Sequence, residues 1–449
     1  MKTLHPTQRA LTCFALLAIL LVAPIVRAAS KNRSSDPEPE VVHTAAGTTE
    51  VGTLSAVPYR IDIPANWNHG LVVYFHGYAE GPFTYRAYGP LNDQTQPLFD
   101  RGYAIIQSGF STPGWALAEA YPETEQLRLY FMKRYAQPVA GKAAAKTMET
   151  IAAGGSMGGA LVVAALELNP KPYSGGLNLC GSVGPTDLAF QRRFAWRAAF
   201  DFYFPGLLPN LVPTPPDYQE SRSLRFRVAE ALKNNQAAAS SLRALTSLHS
   251  DHEVADAMVY FTYVIADMQR RAGGNPFDNR NFLYTGTSPT SSASDNALND
   301  GVHRYAADPH AREYLLHHYT PTGRLTHPML SLHTTYDPRI PGNTLTIYAE
   351  QVAIAGFSDN LVQQYVHRDG HCTFTSEEVG HTFDELIQWI HTGHQPVAGL
   401  LPLPPNHNPA VAPAQHEQHP TILPEARPKS PSTSSSALHP TQKEGLSQW

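Results

Sequence analysis

The chain has 449 residues, 42% of them hydrophobic and 16% charged, with a formal net charge of −5. That balance suits a folded core and excludes a wholly disordered chain. It offers no basic run for phosphate neutralisation, which excludes nucleic acid as the expected partner.

The chain begins with an address. Lys2 and Arg9 precede an apolar stretch from Leu11 to Val22, then Pro24 and small residues before Ala29. Positive charge, a short apolar segment and small residues predict a secretory signal peptide over 1–28, cleaved after Ala28. The apolar stretch falls short of the roughly 20 residues a membrane span needs. No later segment is long and apolar enough, so no membrane span is expected after cleavage and the protein is expected to be secreted or periplasmic. Residues 29–48 are polar and read as a flexible segment.

From there, strand and helix patterns alternate. "GLVVYFHG" (70–77) and "YAIIQSGF" (103–110) are short apolar runs that read as buried strands. "AEAYPETEQLRLYFMKRY" (118–135) reads as helix, with Pro122 near its start. "TMETIAAGG" is a third strand, followed by a helix from about Met157 to Leu168, and "GGLNLCG" (175–181) is a fourth. Between 182 and 326 the β pattern stops. Phe190, Phe194, Trp196, Phe200, Tyr203 and Phe204 fall near helical spacing, and 223–247 and 251–272 also read as helices. "PMLSLHTTYD" (328–337) and "NLVQQYVHRDGH" (360–371) are the last strands. A final helix follows, with Thr375 and Glu378 forming a capping box ahead of an apolar stripe through Val379, Phe383 and Leu386. Strands alternating with helices predict an α/β fold, a mostly parallel sheet with helices on both faces. The core is expected over 49–181 and 327–395, interrupted by a helical insertion over 182–326. Residues 396–449 are rich in Pro, Ser and His and read as a disordered tail. Among its histidines (His407, His416, His419, His439), His416 and His419 make one close pair, but no second ligand pair accompanies them, and no metal is expected.

The chemistry concentrates at Gly154-Gly155-Ser156-Met157-Gly158, between a strand and an apolar helix. This is the G-x-S-x-G nucleophile elbow, a tight turn that lifts the serine hydroxyl clear of the backbone at a helix N-terminus. A serine needs a base, and the base needs an acid to orient it. Asp337 ends one late strand and His371 follows the next, giving the chain order Ser, acid, His that such sheets use. Asp369 is the rival acid, but it stands only two residues from His371. The oxyanion of acyl transfer needs two aimed donors. The expected pair are the N–H of Met157 and the N–H of Tyr78, in the His76-Gly77-Tyr78 turn; His76 itself reads as structural.

"PANWNHGLVVYFHGY", "GGSMGG" and "GHCTFT" together resemble the α/β-hydrolase fold, and more narrowly bacterial secreted serine esterases and prolyl-oligopeptidase-like hydrolases. The resemblance covers roughly residues 50–395 and implies that the insertion acts as a cap. Some feruloyl-esterase and tannase relatives bridge cysteines adjacent to the nucleophile and the histidine; here only the histidine side matches, as His371-Cys372, because Gly155 precedes Ser156. In such a fold Cys180 and Cys372 would meet at one sheet edge, which implies a Cys180–Cys372 disulfide suited to export.

The function this reading implies is cleavage of a carboxylic ester, small or polymer-derived, through an acyl-enzyme and without a cofactor. An exopeptidase or amidase would use the same residues, with Glu220, Glu230 or Glu253 as candidates to meet a free amino terminus. A non-catalytic binding protein on this fold is the third reading, disfavoured by the complete triad. The oligomeric state does not follow from the sequence.

Overall fold

A computed structural model describes residues 36–81, 83–136 and 148–402. Its centre is one ten-stranded sheet whose strands appear in the chain as follows. Three come first: β1 (Glu40–His43), β2 (Gly47–Leu54) and β3 (Val57–Pro64). Then come β4 (Leu71–Phe75), α1 (Gln96–Asp100), β5 (Ala104–Ser108), α2 (Leu117–Tyr135), β6 (Thr150–Gly155), α3 (Met157–Leu168) and β7 (Gly175–Leu179). Six helices follow: α4 (Thr186–Tyr203), α5 (Arg222–Asn234), α6 (Gln236–Thr246), α7 (Asp251–Ala272), α8 (Ala293–Gly301) and α9 (Pro309–His317). The chain then returns to the sheet with β8 (Met329–Tyr336), α10 (Asn343–Ala355), β9 (Leu361–Asp369), α11 (Ser376–Thr392) and β10 (Gly399–Leu400).

The spatial order is β1-β2-β3-β5-β4-β6-β7-β8-β9-β10. β1, β2 and β3 pair antiparallel with one another, β3 pairs antiparallel with β5, and every pairing from β5 to β10 is parallel. This order, with the exchange of β4 and β5, is that of the α/β-hydrolase fold. From β4 the chain crosses to β5 on one side and comes back to β6 on the other. The reversal opens a crevice beyond the C-terminal ends of β4 and β6, where ligands of open α/β sheets bind.

Alternate residues of each central strand feed two apolar clusters, as a period of two demands. Leu71, Val73 and Phe75 of β4 face α2, α3 and α10, whereas Val72 and Tyr74 face α1 and α11. The β4 side chains are almost entirely buried, which explains why the strand reads as a continuous apolar run. α3 is buried from Met157 to Leu166, so it is apolar all round rather than along one stripe. The apolar residues of α4, α5 and α7 join the cluster on the α3 side of the sheet. Among the described residues no helix is long and apolar enough to cross a membrane.

Three sequence boundaries need correction. The described part of 29–48 is not flexible: β1 pairs Glu40–His43 with Thr48–Val51 of β2. The tail does not begin at 396, because Gly399 and Leu400 pair with Gln364 and Tyr365 of β9. The expected single helix over 223–247 is two, broken at Asn235, whose side chain accepts from the Ala238 N–H and starts α6. The signal peptide at 1–28 and the tail histidines lie outside the described residues.

Candidate active site

Ser156 joins β6 to α3 with φ 57° and ψ −119°, a strained conformation for a residue with a side chain. The strain persists because the surroundings leave no room to relax it. A Cβ on Gly158 would stand 2.0 Å from the Phe75 carbonyl oxygen, and one on Gly154 would stand 2.7 Å from the Gly158 backbone. The Ser156 N–H donates to the Leu179 carbonyl at 3.0 Å. Serine at a helix N-cap normally turns its oxygen back onto the first-turn N–H groups. Ser156 makes no such bond; its Oγ lies 2.9 Å from His371 Nε2 instead.

His371 follows β9 through Gly370, whose φ of 110° suits glycine. That turn is fastened from both sides: the Gly370 N–H donates to the Tyr336 carbonyl at 2.9 Å, and Thr334 Oγ1 donates to the Gly370 carbonyl at 2.9 Å. The His371 Nδ1–H donates to Asp337 Oδ2 at 2.7 Å. The other carboxylate oxygen of Asp337 accepts from the N–H groups of Arg339 and Ile340 at 2.8 and 2.9 Å. Burial alone would raise the Asp337 pKa. The charge and hydrogen bond of His371, with His333 and the Ile340 N–H, outweigh burial and hold it below the usual carboxylate value. The carboxylate therefore stays ionised and fixes the His371 tautomer that leaves Nε2 free to accept from Ser156. Asp369 is exposed at the end of β9 and takes no part in this chain of bonds.

The turn after β4 runs against Ser156: a Cβ on Gly77 would lie 3.4 Å from Ser156 Cβ and 3.9 Å from its Oγ. Met157 is the first residue of α3, so its N–H has no partner within the helix. Both expected oxyanion donors thus sit on backbone that borders Ser156. The Tyr78 side chain points elsewhere: its hydroxyl donates to Asp267 of α7 at 3.2 Å, and its ring meets Tyr260 and Tyr263 edge-on at 6.0 and 6.1 Å. His76 is stacked between Phe83 and Phe110 at 4.2 and 3.9 Å, and its Nδ1–H donates to the Gly77 carbonyl at 2.7 Å. Burial pulls its pKa down to about 4, so it stays neutral and shapes the turn.

Cys180 and Cys372 are joined by a disulfide with Cα atoms 5.3 Å apart. It ties the end of β7 to the residue after His371. Cys180, His371 and Cys372 offer ligand atoms within 4.8 Å of one another, but sulfurs bonded to each other have no thiolate to give a metal. Of the three acidic candidates for a free amino terminus, Glu230 is exposed and Glu220 pairs with Arg225. Glu253 caps α7 and accepts from the Tyr336 hydroxyl at 3.0 Å.

Several residues near the site carry no sequence motif. Asp267 is buried and accepts from the Trp115 N–H at 2.7 Å as well as from Tyr78. Arg339 lies 4.4 Å over the Tyr260 ring and pairs with Asp256 at 3.2 Å, tying the loop after Asp337 to α7. His333 is fully buried beneath Asp337. Its Nδ1–H donates to the Thr334 carbonyl at 2.8 Å, and its Nε2 lies 3.7 Å from Asp337 Oδ2 without a hydrogen-bond partner.

No family model and no curated protein matches the chain. Several solved structures are similar to it in part. A puromycin hydrolase is 15% identical at a TM-score of 0.36, over 82% of this chain and 40% of its own. The Pyrococcus horikoshii acylaminoacyl peptidase is 12% identical at a TM-score of 0.40, over 80% and 42%. Acetyl xylan esterase 1 from a Thermoanaerobacterium species is 12% identical at a TM-score of 0.37, over 80% and 90%. The chain thus spans about two fifths of the length of the first two.

Proposed function

We propose that the protein is an exported serine hydrolase that cleaves carboxylic esters through an acyl-enzyme. One observation carries the reading. His371 is hydrogen-bonded at once to Ser156 Oγ, at 2.9 Å, and to Asp337, at 2.7 Å, at the switch point of the sheet.

Each step follows from that relay. Ser156 Oγ attacks the ester carbonyl while His371 Nε2 takes its proton. The imidazolium that forms is stabilised by Asp337, already ionised and held by two backbone N–H groups. The carbonyl oxygen becomes an oxyanion between the N–H groups of Met157 and Tyr78, worth on the order of 3 kcal/mol per donor in such sites. His371 returns the proton to the departing alkoxide, and the C–O bond breaks. Water then attacks the acyl carbonyl while His371 takes its proton; the acyl C–Oγ bond breaks, His371 returns that proton to Ser156 Oγ, and the acid departs. The residues required come entirely from the chain. The helices between β7 and β8 serve as the cap over this crevice.

The test is release of p-nitrophenol from a short acyl ester, with Ser156→Ala as control. The reading expects loss of at least about a thousandfold in kcat in the variant, and loss of labelling by a fluorophosphonate. Undiminished turnover in Ser156→Ala refutes the mechanism. An amidase or exopeptidase would use the same relay, and faster turnover of aminoacyl-anilides than of esters would reassign the substrate without touching the triad.

A further inference from the structure

Several arginines around α7 are matched to acids. Arg197 pairs with Asp201, Arg225 with Glu220 and Asp256, Arg271 with Asp267 and Arg339 with Asp256. Two arginines of α4 pair with no acid among the described residues: Arg192, which donates to Asn343 Oδ1 at 3.0 Å, and Arg193, which faces Phe261 of α7. The Arg193 guanidinium is half-buried between the rings of Phe190 and Phe261, 5.5 and 5.8 Å away, and one of its nitrogens donates to the Arg339 carbonyl at 3.0 Å. Among the described residues no carboxylate pairs with it. A guanidinium presents five N–H donors in a fork shaped for carboxylate, and most of this fork is unused.

Its position is informative. The Arg339 carbonyl that it holds belongs to the residue whose N–H binds Asp337 at 2.8 Å. A residue's N-to-O reach is under about 4 Å, so the guanidinium lies within about 10 Å of the catalytic carboxylate. Burial disfavours its charge, as do the neighbouring guanidinium groups of Arg192 and Arg339, whereas Tyr260 and Asp337 favour it. A second donor borders the same ring: Trp115 packs edge-on against Phe190 at 4.9 Å, and its indole N–H is buried with no acceptor. A part-buried cation that pairs directly with no carboxylate gains from a bound anion.

We propose that Arg193 is a specificity residue that binds a carboxylate carried by the substrate, a few bonds from the scissile carbonyl. The preferred substrates are then half-esters of dicarboxylic acids, or esters whose alcohol carries a carboxylate. This rests on the hydrolase reading above and narrows it.

The experiment compares kcat/KM for p-nitrophenyl hemisuccinate, hemiglutarate and hemiadipate with their neutral methyl-capped counterparts. Carboxyphenyl butyrates and their methyl esters form a second arm for the leaving group. The expected result is a preference of tenfold or more for the anionic member in one arm. Arg193→Gln should cut that preference at least tenfold, Arg193→Lys should keep part of it, and salt should weaken it. A wild-type enzyme indifferent to the carboxylate in both arms overturns the proposal without need of any variant. So does an Arg193→Gln protein, folded by circular dichroism, that loses anionic and neutral esters in equal proportion. Absence of Ser156-dependent turnover on every ester would instead sink the hydrolase reading itself, so the two failures are distinguishable.

Discussion

Replacing Asp337 with asparagine is the sharpest test of the relay, because the structure dictates how the amide must sit. One carboxylate oxygen accepts two backbone N–H groups, from Arg339 and Ile340. An asparagine that keeps those bonds must put its own oxygen there, and its NH2 then faces His371 Nδ1. To satisfy that donor the imidazole must move its proton to Nε2, where it points at Ser156 Oγ and cannot accept. The flipped amide preserves the imidazole tautomer but leaves two backbone donors facing an NH2, at about 1–3 kcal/mol each for buried unpaired groups. Either outcome removes roughly 4–5 kcal/mol from the transition state, a fall of about 10³- to 10⁴-fold in kcat. KM should change little, since neither group contacts the bound ester before attack. The assay is steady-state hydrolysis of p-nitrophenyl butyrate by Asp337→Asn, with Asp369→Asn alongside. An Asp337→Asn enzyme retaining a tenth of wild-type kcat, or an Asp369→Asn enzyme falling with it, would refute the assignment of the acid.

Three further outcomes are expected. Gly158→Ala should give no soluble active protein, since its Cβ meets a backbone oxygen at 2.0 Å; Gly155→Ala should be tolerated, because it meets only the amide end of Gln94 at 2.5 Å, which can move. Expression yield and specific activity of the two variants test this contrast, and equal behaviour would contradict it. Cys180→Ala/Cys372→Ala should unfold more easily by on the order of 3–5 kcal/mol, the range for a bridge closing a long loop, and should lose kcat as the His371 turn loosens; unchanged denaturation midpoints count against that role. His76 titrates near 4 when folded against about 6.5 unfolded, so the unfolded chain binds the extra proton between those values. Stability contributed by neutral His76 is therefore full above pH 6.5 and declines by up to about 3 kcal/mol as pH falls towards 4. Urea midpoints across that window should slope less in His76→Gln than in wild type; parallel slopes would exclude His76 as the cause.

The central sheet is legible because its middle strands are buried on both faces. β4, β5, β6 and β7 are short, mostly apolar runs buried throughout, β8 is buried over its first six residues, β9 shows the alternation of a strand buried on one face, and α3 begins where the elbow requires. α11 carries its own signal, since both halves of the Thr375–Glu378 capping box form. β2 and β3 escape the same reading because they bury charge. Glu50 accepts the hydroxyls of Tyr59 and Tyr130, each at 2.7 Å, and Arg60 pairs with Asp62 at 2.7 Å. A Glu, an Arg and an Asp at inward positions break the apolar alternation, although Arg60 and Asp62 satisfy each other and tyrosines satisfy Glu50. The proposed triad is visible through chain order and strand ends. His333 and Arg193 are not, because a buried imidazole and a half-buried guanidinium look like any others until their neighbours are known.

α7 makes the same point about the insertion. Glu253, Asp256, Tyr260, Tyr263 and Asp267 follow one another at spacings of three and four, which places them on one face of the helix. In sequence a stripe of acids and tyrosines at helical spacing reads as a face turned to water. In the fold it is turned towards the C-terminal edge of the sheet. Glu253 holds Tyr336 at 3.0 Å, Asp256 and Tyr260 hold Arg339, and Asp267 holds Tyr78. Tyr336 and Arg339 flank Asp337, and Tyr78 is the proposed oxyanion donor. Glu253 and Asp267 are fourteen positions apart, about 21 Å along the helix axis, so one rigid rod spans the acid loop and the oxyanion turn together. The sheet sets where those loops begin, but it leaves their tips to be fixed from above. An insertion that merely covered the crevice would need an apolar underside. This one carries acids and aromatic rings that bond to the two loops, so α7 helps to hold the segments that flank the proposed relay.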